Sequence, residues 1–466
     1  MNHILRALRP KSTYLLLAVL AAIPMGALLP ACSQIQGGAN ENERTPGNND
    51  TGVEIGKNAI AISPDGRYFV YGAGGSLQRV DLPSGTRTKL TGVGAVDRLA
   101  FDTKVPDVVY VTTQESSLYG YNTATKKVLW SRELTQWDAY APPSILPTED
   151  GERLVVALPD EVRVLESATG KLQLSKTFDS SVVDVDVTAD SESVLVTTTE
   201  TWEGDGPITL VTVIDLNVAA VTTIKVPNCA DELRISKDGT KAFLAPTRCT
   251  QDPVSVIDLT KRKFVRNLPG FGPVDLANDG RTAVAFMDVD SLDRSLFLDS
   301  DTVPEQDGSR YHMMFIDVDT LAFDTLPLGD ELPSYALTPD GNVLLVDDES
   351  WYAEERLRLV DVPARRLLTI IGPDVQLLEY VLTGDSTEAY LVDRGLFRLS
   401  FEDAHVTSVD LAFTPSNINI TPDDNTLLLR NAHAEEIWLF DIEAQATGTR
   451  IETPGLTVDA SGSVWF

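Results

Sequence analysis

Few side chains in this 466-residue chain stand in patterns that make or break bonds. After the first thirty residues three histidines remain, His312, His405 and His433, too widely separated for a His-Glu-x-x-His zinc helix. The sequence has no Cys-x-x-Cys-His haem attachment and no Gly-x-Ser-x-Gly nucleophile elbow. Gly72-Ala73-Gly74-Gly75 reads as a connector after a hairpin, not a phosphate cradle. The 69 Asp and Glu are too plentiful for one pair to stand out as an acid/base couple. The acids of Asp288-Val289-Asp290-Ser291-Leu292-Asp293 invite calcium, but Leu and Asp stand where an EF-hand loop needs a ligand and Gly. No catalytic residue, metal or cofactor is expected. Three cysteines are left, with Cys32 closing an apolar stretch and Cys229 and Cys249 flanking a hairpin, together with aromatic residues set among acidic loops.

The elements that carry these residues follow from a pattern that recurs ten times: an apolar strand, a turn on Asp plus a small residue, and a second strand. Ile62-Ser63-Pro64-Asp65-Gly66-Arg67-Tyr68-Phe69-Val70 and Leu337-Thr338-Pro339-Asp340-Gly341-Asn342-Val343-Leu344 are clear copies. The turn position falls at Asp65, Asp107, Asp150, Asp190, Asp238, Asp279, Asp340, Asp385 and Asp423, with a divergent copy at Ser461-Gly462. Successive turns lie 38 to 48 residues apart except for one interval of 61. That is the length of a four-stranded propeller blade. Pro presets the turn, Asp bonds its own backbone two residues on, and Gly takes the left-handed conformation that follows. A second pair of strands follows each hairpin, as in Ser255-Val256-Ile257-Asp258-Leu259 and Phe264-Val265. Runs such as Leu154-Val155-Val156-Ala157-Leu158 are apolar at successive positions, so both faces of these strands must be buried. Residues 54–466 are therefore predicted to form an all-β β-propeller of four-stranded blades, a single ring of more than seven blades with about nine repeat units. The last hairpin, near 458–465, is expected to close the ring with a strand near Val53-Glu54-Ile55.

The Ser-Pro-Asp-Gly turns resemble the repeats of YVTN-type and TolB-type (WD40-like) propellers, a resemblance that covers nearly the whole chain after the leader and implies architecture, not activity. Residues 1–31 carry Arg6, Arg9 and Lys11 without an acid, then an apolar run to Leu29-Pro30-Ala31-Cys32, and read as an export signal. It resembles the bacterial lipoprotein signal, which implies acylation of Cys32. Ser33 after the Cys lacks the Asp of inner-membrane retention, which points to the outer membrane of a Gram-negative cell envelope. Residues 32–53 have almost nothing to bury and read as a lipidated, flexible tether with a reach of about 25 Å.

Processing after residue 31 leaves 35 basic and 69 acidic residues, a formal charge of −34 against −31 for the whole chain. Such a surface repels nucleic acid. Cys229 and Cys249 lie symmetrically about the turn Ser236-Lys237-Asp238-Gly239, and in an oxidising compartment a disulfide between them is expected to contribute about 3 kcal/mol.

Propeller topology turns the register into a map. Connections from second to third strand and from blade to blade open on one face, which collects Trp137, Tyr140, Trp202, Trp351, Tyr352, His433 and an acidic insertion at 287–311. Hairpin and third-to-fourth turns open on the other, with Lys261, Arg262, Lys263, Arg365 and Arg366, so the two faces are expected to differ in charge. Each histidine is expected beside a turn, in solvent. The reading is a non-catalytic binding or scaffolding module, held to the membrane by its lipid only, for an envelope or extracellular protein or peptide, with a glycan second. The alternative is a propeller enzyme, a lactonase-like hydrolase or a cofactor-dependent dehydrogenase. A compact cluster of His, Arg and Glu at the channel mouth favours the enzyme, and an acid-lined channel favours binding.

Overall fold

The computed structural model describes residues 60–73, 75–134, 143–203, 206–246, 253–277, 279–290, 296, 309–330, 332, 334–347, 357–371, 379–392 and 394–453, without the side chains of 199–203 and 206–207. These residues form nine four-stranded antiparallel sheets, each built from four consecutive strands, at 60–90, 96–133, 144–177, 182–226, 232–268, 271–329, 334–371, 379–409 and 415–452. They are the blades of a nine-bladed β-propeller, numbered 1 to 9 below. The insertion joins second and third strands of blade 6, Thr282–Asp288 and Tyr311–Asp317, where the long interval placed it.

Burial falls in the order that blade packing requires. Second strands such as Tyr68–Ala73 and Val108–Thr113 are covered on both faces, while fourth strands such as Thr86–Leu90 and Leu172–Thr177 are mostly exposed. First strands of neighbouring blades touch one another from blade 1 through blade 6 and between blades 8 and 9, so first strands line the inside of the ring and the fourth strands form its rim. Apolar side chains from facing sheets fill each seam. Between blades 5 and 6, Phe243, Val256 and Leu268 meet Ala285, Met287 and Met314.

Blade 9 packs on blade 1 in the same manner, Leu428, Leu439 and Ile451 against Ile60, Phe69 and Tyr71. The rim of that seam is pinned by Thr449 Oγ1 donating to Pro83 O at 3.0 Å and by Arg87 Nη1 donating to Glu452 O at 3.3 Å. The strands expected to close the ring, near 53–55 and 458–465, lie outside the described residues.

Seven of the nine hairpin turns share one hydrogen-bond circuit; blades 2 and 6 have Val105 and Ala277 at the hydroxyl position. Two residues before the Asp, a Ser or Thr hydroxyl donates to the carboxylate: Ser63 to Asp65 at 2.8 Å, Ser236 to Asp238 at 2.7 Å, Thr338 to Asp340 at 2.7 Å. The same hydroxyl accepts the amide five residues on, as from Tyr68 N at 3.2 Å and Lys241 N at 2.9 Å. The Asp accepts the amide two residues on, from Arg67 at 3.1 Å and Thr240 at 3.0 Å. For Asp65, Asp238, Asp385 and Asp423 burial alone would raise the carboxyl pKa; these hydrogen bonds outweigh it and hold all four below the usual range.

Except in blade 2, where Val108 already belongs to the second strand, the residue after the Asp has positive φ, +66° at Gly66 and +68° at Gly239. In three turns it is Ser191, Ser386 or Asp424, at +59°, +59° and +56°. Each earns its strained backbone by bonding the neighbouring blade. Ser191 Oγ accepts Asp150 N at 3.1 Å, Ser386 Oγ accepts Asp340 N at 2.9 Å, and Asp424 Oδ2 accepts Gly384 N at 2.8 Å.

Candidate functional site

In blades 4, 5 and 6, charged residues stand four and six positions before the turn Asp: Asp186 and Asp184 before Asp190, Arg234 and Glu232 before Asp238, Asp275 before Asp279. The two-residue period of a strand puts the positions within each blade on one side. The ring then brings the three first strands, Val182–Val187, Glu232–Ile235 and Phe271–Leu276, side by side. The arc runs along the inner wall of the ring, from Glu232, the first residue of its strand, to Asp186 and Asp275, each one residue from the hairpin end of its strand.

Arg234 sits at its centre. Its Nη2 is 2.5 Å from Glu232 Oε1 and its Nη1 donates to Leu233 O at 3.2 Å. Burial alone would push the guanidinium down. The charges of Glu232, Asp275, Asp184 and Asp186 outweigh it, so its proton is held more firmly than on an isolated Arg. Asp184 bridges two blades, its Oδ1 accepting Val185 N at 2.9 Å and its Oδ2 accepting Leu233 N at 2.9 Å. Glu232 thus contacts the guanidinium and three further carboxylates act on it through their charge, a formal surplus of three negative charges. A guanidinium so held is no receptor for an anion, whereas the surplus attracts cations.

Tyr335, the second residue of the first strand of blade 7, completes the arc. Its hydroxyl donates to Pro273 O at 3.0 Å. Burial, and then the charges of Asp275 and Glu232, raise its pKa well above the ordinary phenol value, so it serves as a donor and not as a base. Its ring stands edge-on to Phe286 at 4.9 Å, Phe286 lies 6.2 Å from Phe271, and Phe271 lies 6.2 Å from Tyr311 at the foot of the insertion. There Arg310 covers the Tyr311 ring at 4.8 Å and pairs with Asp288 at 2.8 Å. Asp288 is thereby committed to an arginine within the segment that suggested calcium. Most of that segment, 291–295 and 297–308, lies outside the described residues.

Blade 2 contributes one more axial carboxyl. Asp97 is raised in pKa by burial, partly offset by the charge of Arg98, and its buried Oδ2 has no hydrogen-bond partner.

On the loop face, a groove of about 530 Å³ opens between blades 8 and 9, lined by Arg394, Ser408, Asp410, Phe413 and Thr414. Phe413 stacks on Trp438 at 5.0 Å and 20°, and Trp438 Nε1 donates to Glu436 at 3.1 Å.

Of the residues expected on this face, His433 is exposed between second and third strands of blade 9, its amide bonded to Asn431 Oδ1 at 3.0 Å. Trp202 lies in the long second strand Ser193–Glu203 of blade 4, paired with Pro207, and its side chain is not described. Trp137, Tyr140, Trp351 and Tyr352 lie outside the described residues, as do Cys32 and Cys249. Cys229 is buried just before the first strand of blade 5.

Two expectations are corrected. His312 is not in solvent: it is the second residue of the strand Tyr311–Asp317, 2% exposed, in a strand buried on both faces. The opposite face is not a free basic surface. Lys261 pairs with Asp258 at 2.8 Å, Arg262 with Asp215 at 3.1 Å, Arg366 with Asp361 at 3.6 Å and Arg365 with Asp324, and the hairpin aspartates open on that same side. The sequence reasoning also missed the arc of Asp184, Asp186, Glu232, Arg234 and Asp275; its signal was the fixed offset from the turn Asp.

No protein-family model matches the sequence, and no curated protein matches it. Solved structures do match. A dihydro-haem d1 dehydrogenase, NirN, in complex with DHE is 14% identical with a TM-score of 0.51, over 85% of this chain and 75% of that one. A eukaryotic initiation factor is 13% identical with a TM-score of 0.51, over 88% and 91%. A hydrazine synthase from Kuenenia stuttgartiensis is 15% identical with a TM-score of 0.39, over 67% and 95%. At these identities the likeness concerns the fold alone.

Proposed function

We propose that the chain is a binding or scaffolding propeller of the bacterial cell envelope, of the YVTN/TolB type, that takes a basic segment of a partner protein or peptide in the channel lined by its first strands. The observation that carries this reading is the arc in which Arg234 is already held by Glu232, Asp275, Asp184 and Asp186. Such a site offers a cation-seeking field and a saturated guanidinium. The groove beside Phe413 offers an apolar anchor on the loop face, and this reading assigns the same role to Trp137, Tyr140, Trp202, Trp351 and Tyr352. Because the matched folds include a dehydrogenase and an initiation factor, the choice between binding and a propeller enzyme rests on the arc.

The test is capture of a decalysine probe by the full chain. Asp186→Asn with Asp275→Asn should weaken capture about tenfold, as expected for losing about 1.4 kcal/mol. Capture should also fall as salt rises and the screening length drops from about 30 Å at 0.01 M to about 8 Å at 0.15 M. Replacing Trp202, Trp351 and Tyr352 by Ala should weaken it further without shifting the melt. Replacing Lys261, Arg262 and Lys263 by Ser, on the opposite face, should leave capture unchanged. Equal losses from both faces, or capture indifferent to salt, would remove the support for a cationic partner.

Envelope attachment belongs to the same proposal. Cys32 is the acylated N-terminus, and Cys229 pairs with Cys249, for which the burial of Cys229 is the supporting observation. Intact-mass analysis of the exported protein should show an acylated chain beginning at Cys32, two hydrogens lighter than its dithiol form. A different N-terminus would refute the anchor. Thiols at Cys229 and Cys249 that alkylate without reductant would refute the pairing.

A further inference from the structure

In blades 2, 3 and 9 the chain leaving the fourth strand is tied back to its own blade on the loop face. Its amide donates to the carbonyl just before the third strand: Leu134 N to Ser116 O at 2.8 Å, Phe178 N to Asp160 O at 2.9 Å and Thr453 N to Glu435 O at 2.9 Å. Blade 8 lacks this tie. Among the described residues no backbone bond joins residues 410–414 to Arg394 or Gly395, which precede its third strand Leu396–Ser400, and the amides of 410–413 have no backbone partner. The two segments stand apart as the walls of the groove of about 530 Å³, a volume within the range of small-ligand sites.

Arg394 and Asp410 face this opening from exposed positions, and among the described residues neither makes an ion pair or a side-chain hydrogen bond, with each other or with a third group. A guanidinium only donates and a carboxylate only accepts, whereas a hydroxyl does both. The two charges cancel, so within a chain of net charge −31 the groove has no formal charge with which to select a cation or an anion. Phe413 adds an apolar surface in a fixed orientation, because Trp438 stacks on it at 5.0 Å and 20° and is itself held by Glu436 at 3.1 Å. Ser408 and Thr414 add hydroxyls.

We propose that this groove binds one ring of a neutral glycan. Two vicinal hydroxyls bridge the walls, donating to Asp410 and accepting from Arg394, while the C–H face of the ring lies on Phe413. The sugar thereby makes, between the two segments, the connection that blades 2, 3 and 9 make directly. A singly charged ligand would satisfy one wall and meet like charge on the other. The site is separate from the channel and does not depend on what the channel holds.

The test uses the full chain and a panel of neutral trisaccharides, maltotriose, cellotriose and mannotriose. At least one should bind with a Kd of about 1 mM, the strength expected of one ring in an open groove. In NMR, saturation of the aromatic protons should pass to the C–H protons of the bound sugar, and Phe413→Leu should remove most of that transfer. Arg394→Ala and Asp410→Ala, both at exposed positions, should each weaken binding at least about tenfold, the loss expected of a hydrogen bond to a charged group. Leucine, a zwitterion without hydroxyls, and trigalacturonate, an anion, should not displace the sugar. Binding should stay constant as salt rises from about 0.01 to 0.15 M, whereas capture of decalysine falls, so failure of one reading does not imply failure of the other. A panel without a binder, binding unchanged in both Ala variants, or displacement by leucine or trigalacturonate overturns the proposal.

Discussion

Replacing Trp130 by Ala is expected to give the largest loss of stability of any single aromatic substitution among the described residues. Trp130 lies on the fourth strand of blade 2, a position usually in solvent, yet it is only 7% exposed. Its Nε1 donates to Ser167 O of blade 3 at 2.8 Å, and its ring lies 5.9 Å from Tyr110. Two glycines make room for it. A Cβ at Gly120 would come 2.4 Å from Trp130 Cε2, and one at Gly170, where φ is +64°, would come 2.5 Å from Cδ2. The ring therefore plugs the seam between blades 2 and 3. Trp→Ala at such a site costs about 3–5 kcal/mol. With about 2.1 cal/mol/K of unfolding entropy per residue over roughly 400 residues, this is a melting shift of about 5 °C if the ring unfolds as one unit. Gly120→Ala should cost about 1–3 kcal/mol by overpacking. In the Trp130→Ala background the same change should cost almost nothing, because the clash is with the indole. A double-mutant cycle in urea measures this coupling, and simple additivity of the two losses would contradict the plug.

Arg234→Met should have an effect of similar size that depends on pH. It removes the cation from among Glu232, Asp275, Asp184 and Asp186 and leaves their charges facing one another. Breaking a buried ion pair in this way costs about 3–5 kcal/mol, and the 25% exposure of Arg234 places the cost at the lower end, about 3 kcal/mol at pH 8. The sign of the pH dependence follows from linkage. In the variant, mutual repulsion raises the folded-state pKa of the carboxylates above the unfolded values. The folded state then binds more protons than the unfolded one, and the penalty shrinks as pH falls toward 5. The native chain behaves in the opposite sense. Asp65, Asp238, Asp385 and Asp423 have lowered folded-state pKa values, so their contribution is present above the unfolded pKa and is lost as pH falls through the folded one. Urea titrations at pH 8 and pH 5 should therefore show native and variant stabilities converging in acid. A penalty unchanged between the two would mean that Arg234 serves by packing and not by charge.

The sequence alone determined the blades. A turn such as Ser63-Pro64-Asp65-Gly66 closes its hydroxyl, carboxylate and amide bonds within five residues, so its chemistry is local and its residue types are constrained wherever it occurs. Strands buried on both faces announce themselves by unbroken apolar runs for the same reason. The insertion was legible too, because it stretches one interval of a regular series. What local chemistry could not convey was convergence. Asp184, Glu232, Arg234 and Asp275 each look like an ordinary polar residue near a strand start, and only closure of the ring places them around one another. His312 was misplaced because proximity to a long insertion outweighed, in the linear reading, the apolar strand that follows it. Trp130 was likewise indistinguishable from a rim residue until blade 3 was set against it, since its burial depends on Gly170, forty positions away. The turns fixed what lies within one blade; seam contacts and axial electrostatics depend on which blades become neighbours, and only the tertiary structure decided those.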